Sequence, residues 1–313
     1  MGHNPDMATA AASLHVAPSL DDGLALRYFP VTSQDGTELT AWTNDVAGPT
    51  VLLCNGLGTN PYSWPALLDP DCGVHIISWN HRGTGGSERP RHPEDVGIDA
   101  FAEDAIAVMD DAGVDACVLM GWSMGVNTMF EVAVEHPERV TGLFAVGGVP
   151  GDTFSSMGAP MLVPRPLRKP LAINVARALK LAGRPLSEIA TRLPIGPLTY
   201  EVLSHTGFML PMRDPELARR AIREFLTTPI DWYMHLALHS SLHGRVSLRN
   251  IDVPTSFLAG KYDVLASSYD MRTAADRIPD AVFEEIHATH FISMEKPDEV
   301  HEALLDLLDR VPE

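Results

Sequence analysis

The sequence predicts an α/β fold: a mostly parallel, twisted sheet flanked by helices, with a helical segment inserted after the sixth strand. Three observations carry this. Apolar runs of strand length, each ending at Gly, Asn or another turn residue, alternate through the first half with stretches of helical periodicity. The runs are continuous rather than alternating, the pattern of strands covered on both faces. The rhythm breaks at Gly147-Gly148-Val149-Pro150-Gly151, and strand signals return only at 255–259.

Taken in order, 24–31 and 38–43 flank the turn-like Ser33-Gln34-Asp35-Gly36 and read as an opening antiparallel hairpin. Runs 51–54, 74–79, 116–120 and 143–146 follow as strands. Phe101, Ala105, Ile106 and Met109 share one face at helical spacing, and 126–135 reads as a second helix. That order implies right-handed crossovers. From 151 to 243 the chain is rich in Pro, Leu, Met and Arg and reads as short helices. Strands resume at 255–259 and 282–286, and a last helix carries Val300, Leu304, Leu307 and Leu308 on one face. The expected domains are an N-terminal extension over 1–23, taken as flexible, an α/β core of 24–150 and 246–313, and a helical cap of 151–245. No internal repeat or low-complexity segment interrupts this plan.

Composition narrows the function. With 313 residues, 45% hydrophobic and 20% charged, the chain can bury a large core, which excludes a disordered tail or a coiled coil. No apolar run approaches the roughly 20 residues of a membrane-spanning helix. Asp and Glu number 41 against 23 Lys and Arg, and a net charge of −18 repels phosphate backbones, so nucleic acid is not an expected partner. Residues before Leu24 lack a basic stretch followed by an apolar one, and the expected location is the cytoplasm. Cys54, Cys72 and Cys117 are too few and scattered for a disulfide framework, and no Cys-x-x-Cys suggests zinc or redox work. Cys54 and Cys117 lie in apolar runs and read as buried thiols.

The sharpest local feature is Gly121-Trp122-Ser123-Met124-Gly125, after one predicted strand and before a predicted helix. A serine on so tight a turn has a strained backbone, and its small neighbours let strand and helix pass close together. A hydroxyl needs a base to take its proton, and a histidine does this best when a carboxylate fixes its tautomer. Asp263 follows the strand 255–259, and His290 follows the strand 282–286, so the chain order is Ser, Asp, His.

These motifs, together with Asn55-Gly56-Leu57-Gly58 and Asn80-His81-Arg82-Gly83-Thr84-Gly85-Gly86-Ser87, resemble the α/β-hydrolase fold superfamily, in the esterase- and lipase-like branch of serine hydrolases with a helical cap. The resemblance runs from about Leu24 to Leu308. It implies a Ser123, Asp263, His290 triad and an oxyanion hole from the backbone amides of Leu57 and Met124. Two positions depart from the usual pattern: Asn55 stands where the superfamily usually has His, and Asn80 where it usually has Asp. The Arg82 block reads as structural, a glycine-permitted turn pinned by an arginine.

Rival readings stay beside these. Asp152 competes with Asp263, since some members take the acid from the end of the sixth strand, and His287 competes with His290 by proximity alone. Substrate-contact candidates are Asn55, Trp64, Trp122, Trp232, His235 and His239. Asn55 also suits a loop-holding hydrogen bond, and Trp122 also suits packing beneath the turn. His235, His239 and His243 repeat at i, i+4 on an expected cap helix, but the outer two would lie about 12 Å apart, too far for one metal. No metal and no cofactor is expected. Met161, Leu162, Met209, Leu210 and Met212 suit an acyl pocket or simply the lid's own core. Between 151 and 212, seven Lys or Arg face three acids, so the cap is locally basic, either as a solvated surface or to draw in an anionic substrate group.

The resulting expectation is a cofactor-independent serine esterase acting on a small ester or acyl substrate with an apolar portion. Hydrolases of carbon–carbon bonds, thioesterases, lactonases and perhydrolases share the same triad, and a ligand receptor of the same fold is the non-enzymatic alternative. A serine nucleophile argues against the dehalogenases and epoxide hydrolases of the superfamily, which use aspartate. Oligomeric state is not legible in the sequence.

Overall fold

A computed structural model of the protein describes residues 24–159, 161–192, 196–206 and 208–312; the extension expected over 1–23 lies outside them. Strands β1 (Arg27–Thr32) and β2 (Glu38–Thr43) form an antiparallel hairpin, followed by β3 (Thr50–Cys54), β4 (His75–Trp79) and helix α1 (Ile98–Asp111). Then come β5 (Cys117–Trp122), α2 (Gly125–Glu135) and β6 (Val140–Val146). Among the described residues, a 3-10 turn (Thr153–Ser155) and five α-helices separate β6 from the next strand: α3 (Arg165–Leu181), α4 (Gly183–Ala190), α5 (Pro197–Ser204), α6 (Pro215–Phe225) and α7 (Ile230–Ser240). The chain ends through β7 (Thr255–Gly260), α8 (Ser268–Ala275), β8 (Ala281–Ile286), α9 (Ile292–Glu295) and α10 (Pro297–Leu308).

The sheet has eight strands in the order β1-β2-β4-β3-β5-β6-β7-β8, parallel from β4 through β8. Its central strands bury both faces, which is why their sequences are unbroken apolar runs. Leu52 and Cys54 of β3 face one cluster with α1, α2 and α8, while Val51 and Leu53 face the other with α10. Each large apolar side chain buried there contributes about 1.5–3 kcal/mol. The edges differ. β1 carries Pro30, which lacks the N–H a central strand needs, and β8 exposes Glu284 and Glu285, which discourages pairing with another chain.

Strand bounds shift modestly from the expected runs. β5 continues two residues past Met120 to Trp122, because the apolar pattern ends at Gly121 while the ladder with β6 continues through Trp122 to Val146. The strands stack so that loops 55–60, 123–124, 147–151, 261–267 and 287–291 all follow parallel strand ends. Gly151 and Arg245 pair as an isolated antiparallel bridge, so the five-helix segment leaves and returns at one place. All three cysteines are free and buried. No helix among the described residues is long and apolar enough to cross a membrane.

Candidate active site

Ser123 sits between β5 and α2 with φ 55°, a left-handed conformation costly for a residue with a Cβ. Its N–H is held by the Val146 carbonyl at 3.0 Å. The flanking glycines are obligatory for space. A Cβ on Gly125 would overlap the Cys54 carbonyl, and one on Gly121 would lie 2.7 Å from Val126 Cα. A Cβ on Gly148 would lie 2.5 Å from the Ser123 carbonyl oxygen. The turn is thus clamped by β3 on one side and the end of β6 on the other.

His290 reaches this turn from the loop after β8. Its Nε2 lies 2.8 Å from Ser123 Oγ and its Nδ1 lies 2.8 Å from Asp263 Oδ2. Asp263 is 1% exposed, and its other oxygen accepts the N–H groups of Leu265 and Ala266 at 2.7 and 2.8 Å. Those donors fix the carboxylate plane, and the carboxylate in turn sets the Nδ1–H tautomer, leaving the Nε2 lone pair toward the serine. Gly147, at φ 51°, leaves room beside Asp263 Oδ2 that a larger residue would narrow.

Two backbone donors near this turn are without a partner: among the described residues, neither the Leu57 nor the Met124 N–H finds an acceptor within the chain. Met124 opens α2, whose N-terminal partial positive charge adds to the donors. The Leu57 turn is held by the Thr59 N–H on the Gly56 carbonyl at 3.0 Å and by the Thr59 hydroxyl on the same oxygen. Gly58 has φ 69°, and the Tyr233 ring of α7 lies against it.

The remaining candidates divide. Asn55 Oδ1 accepts the Trp64 indole N–H at 2.7 Å, while its Nδ2 is buried without a partner. Trp64 meets Trp122 edge-on, and Trp122 donates to the His290 carbonyl at 3.0 Å. These three therefore support the serine and histidine loops. His235 and His239 lie along the loop after β4, and Trp232 joins that loop to the cluster of Leu57 and Met124. Trp232 donates to the Arg82 carbonyl at 2.9 Å beneath the Arg89 guanidinium, and His235 contacts Lys180 Nζ and the Pro93 carbonyl. The His239 ring lies 4.5 Å from that of His235, tilted by 57°, and burial together with that neighbour and Lys180 lowers its pKa.

One expectation is corrected: His243 is not on the helix of His235 and His239. α7 ends at Ser240, and His243 lies in the following turn, 3.4 Å from Glu131. With Asp99 these two make the trio among the described residues whose ligand atoms lie within 4.8 Å of one another; it includes no member of the serine constellation. Asp152 is not the partner of His290: its carboxylate is taken by Lys169 and Ser155. Although burial opposes it, those bonds hold its pKa below the usual range. His287 is exposed against Tyr262.

Sequence reasoning missed Glu295. Its carboxylate is 93% buried (7% exposed) and accepts the Thr289 N–H at 2.7 Å, the Thr289 hydroxyl at 2.6 Å and the Leu210 N–H at 2.7 Å. It ties the residue before His290 to the segment between α5 and α6. Nothing local in Met294-Glu295-Lys296-Pro297 signals this, since the partners come from distant positions. Tyr233 and Phe154, which join Leu57, Met124 and Trp232 in one apolar cluster, were missed for the same reason.

The strand order and these strand-end loops define the class of protein, and comparison with known proteins agrees. The α/β hydrolase fold family matches residues 49–183. Epoxide hydrolase A of Mycobacterium tuberculosis is 25% identical over 298 residues, covering 83% of this chain and 90% of its own. A putative carbamate hydrolase RutD of Azorhizobium caulinodans is 28% identical over 263 residues, covering 83% and 91%. The enol-lactonase of Burkholderia xenovorans LB400 superposes with a TM-score of 0.65 at 21% identity, over 90% of this chain and all of that one (100%). The chain has the α/β-hydrolase fold, and residues 49–183 match that family. Its homologues are named as hydrolases across most of its length, and it is an enzyme of that class.

Proposed function

We propose that the protein is a serine hydrolase that cleaves a carboxylic ester-like bond through an acyl-enzyme. The observation that carries this is the unbroken relay from Ser123 Oγ through the His290 ring to Asp263, 2.8 Å at each link. As Ser123 attacks the substrate carbonyl, His290 Nε2 takes the hydroxyl proton and Asp263 stabilises the imidazolium. The Leu57 and Met124 amides hold the oxyanion, each worth about 3–4 kcal/mol in the transition state. His290 then returns its proton to the leaving group and activates the water that releases the acyl group.

The epoxide hydrolase names among the relatives are not carried over, because the nucleophile position here is serine. In this reading 151–245 acts as a lid over a core of 24–150 and 246–313, and its apolar cluster around Leu57, Met124 and Phe154 receives the acyl portion. Asn55 Nδ2, buried and without a partner, is a donor available to the substrate.

The test is fluorophosphonate labelling of the intact chain, with Ser123→Ala as control, followed by hydrolysis of nitrophenyl esters of rising acyl length beside a thioester, a lactone and a ring-fission dienoate. Labelling at Ser123 and ester turnover support the reading. Absence of labelling in a folded protein returns it to the ligand-receptor alternative, and turnover of another bond alone replaces the ester.

A further inference from the structure

We propose that the outer face of α3 docks on an anionic lipid surface. Of the 17 residues of α3 only Ala176 is fully buried. Leu167, Leu171, Val175, Ala178 and Leu181 recur at steps of four, four, three and three, which places them along one side of a helix. That side faces outward: Leu167 is 56% exposed, Leu171 53%, Val175 50% and Leu181 89%. Asn174 alone interrupts the strip. An ordinary surface helix hides its apolar side and shows its polar one; here Ala172, Ile173 and Ala176 pack inward on the cluster around Leu57 and Trp232, and a second apolar strip lies on the exposed side. Leu162, three residues before α3, is 88% exposed and lies at the end of the strip nearest the helix start.

Charge identifies the occupant. Residues 161–192 carry seven Lys or Arg and one acid, Glu188, a net of +6 (7 − 1) within a chain of −18. Arg165, Arg168 and Lys169 turn inward to Asp270 and Asp152. Arg177 and Arg184 remain exposed beside the strip, and among the described residues neither has a carboxylate partner. A symmetric contact with a second copy would bring these arginines against their own images. A lipid surface takes both features together: the strip, about 21 Å long, enters the boundary between headgroups and acyl chains while the guanidiniums meet anionic headgroups. The surface uses none of the residues around Ser123, so docking stands or falls separately from the proposed hydrolysis.

Cosedimentation of the full chain with vesicles tests this, comparing phosphatidylcholine alone with equal parts phosphatidylcholine and phosphatidylglycerol, at low and high salt. The expected result is binding to the mixed vesicles that weakens with salt. The combined variant Leu167→Glu, Leu171→Glu, Val175→Glu should lower the bound fraction by about tenfold while keeping the wild-type melting temperature. The pair Arg177→Ala, Arg184→Ala should bind less and lose most of the salt dependence, and it decides the matter if the first variant does not fold. Failure of the wild type to bind mixed vesicles, or equal binding by the folded variants, overturns the proposal. So does light scattering that finds a wild-type dimer converted to a monomer by the glutamate substitutions, since a second copy then covers the strip.

Discussion

Ser123 combines a left-handed backbone with a hydroxyl aimed at His290, and these separate cleanly by substitution. Ser123→Gly removes the Cβ that makes φ 55° costly, so urea unfolding should show stability raised by about 1 kcal/mol. Ser123→Ala keeps the Cβ and the strain, and should lower ester turnover by about 10⁴-fold or more with an unchanged melting curve. His81 gives a second residue-scale expectation. It is fully enclosed against Phe101, and burial pushes its pKa from 6.5 down to about 4. The folded state therefore holds a neutral ring where the unfolded chain holds a charged one. Stability is fully present above about pH 6.5 and is lost as pH falls toward 4, by roughly 3 kcal/mol. His81→Gln should remove that part of the pH dependence in melts recorded across the range; an unchanged slope would show that other groups carry it.

Between elements, buried polar bonds do what apolar packing cannot: they fix which loop goes where. Arg82, fully buried, clamps the turn after β4 to α1 through Asp104 at 2.7 Å and to the first hairpin through Ser33 and Asp35. Among the described residues, removing Asp104 leaves the buried guanidinium only the partly exposed Asp35 as counter-charge, so Asp104→Ala should cost about 3 kcal/mol by urea unfolding. Replacing Arg82 and Asp104 together by Met and Leu should cost much less than the sum of the single changes. Glu295 works similarly at the histidine loop. Glu295→Gln offers an N–H₂ where Thr289 needs an acceptor, and the loop should loosen. As a positioning residue it should affect kcat by about tenfold with little change in KM, and slow fluorophosphonate labelling to match. A purely structural role would lower the melting temperature and leave both rates intact.

At the scale of the molecule, the five-helix segment is tied to the core at several places, among them Asn60 on the Ala221 carbonyl and Leu210 on Glu295. Trp232 is another, filling the space over Gly83 and donating to the Arg82 carbonyl, with Arg89 stacked at 4.2 Å. Trp232→Ala should open the segment without unfolding the sheet. Limited proteolysis should then cut within 151–245 faster than in the wild type while hydrogen exchange in β3, β5 and β6 stays slow. Uniform loss of protection would mean that lid and core unfold as one unit.

The sheet and its flanking helices were legible because burial on both faces leaves its mark directly in the chain, as unbroken runs such as 51–54 and helical faces such as Phe101 with Ala105. Ser123 was legible too, since a strained turn needs glycines at fixed offsets. Asn55, His243 and Glu295 were less so: their partners Trp64, Glu131 and Thr289 with Leu210 are chosen by where separate elements pack, and no local pattern encodes that choice. The sequence by itself determined the kinds of element and the turn on which the serine sits. Only the tertiary structure decided which acid and which histidine meet that serine, and which way α3 turns its apolar side, because such contacts depend on the relative placement of whole elements rather than on any stretch of neighbouring residues.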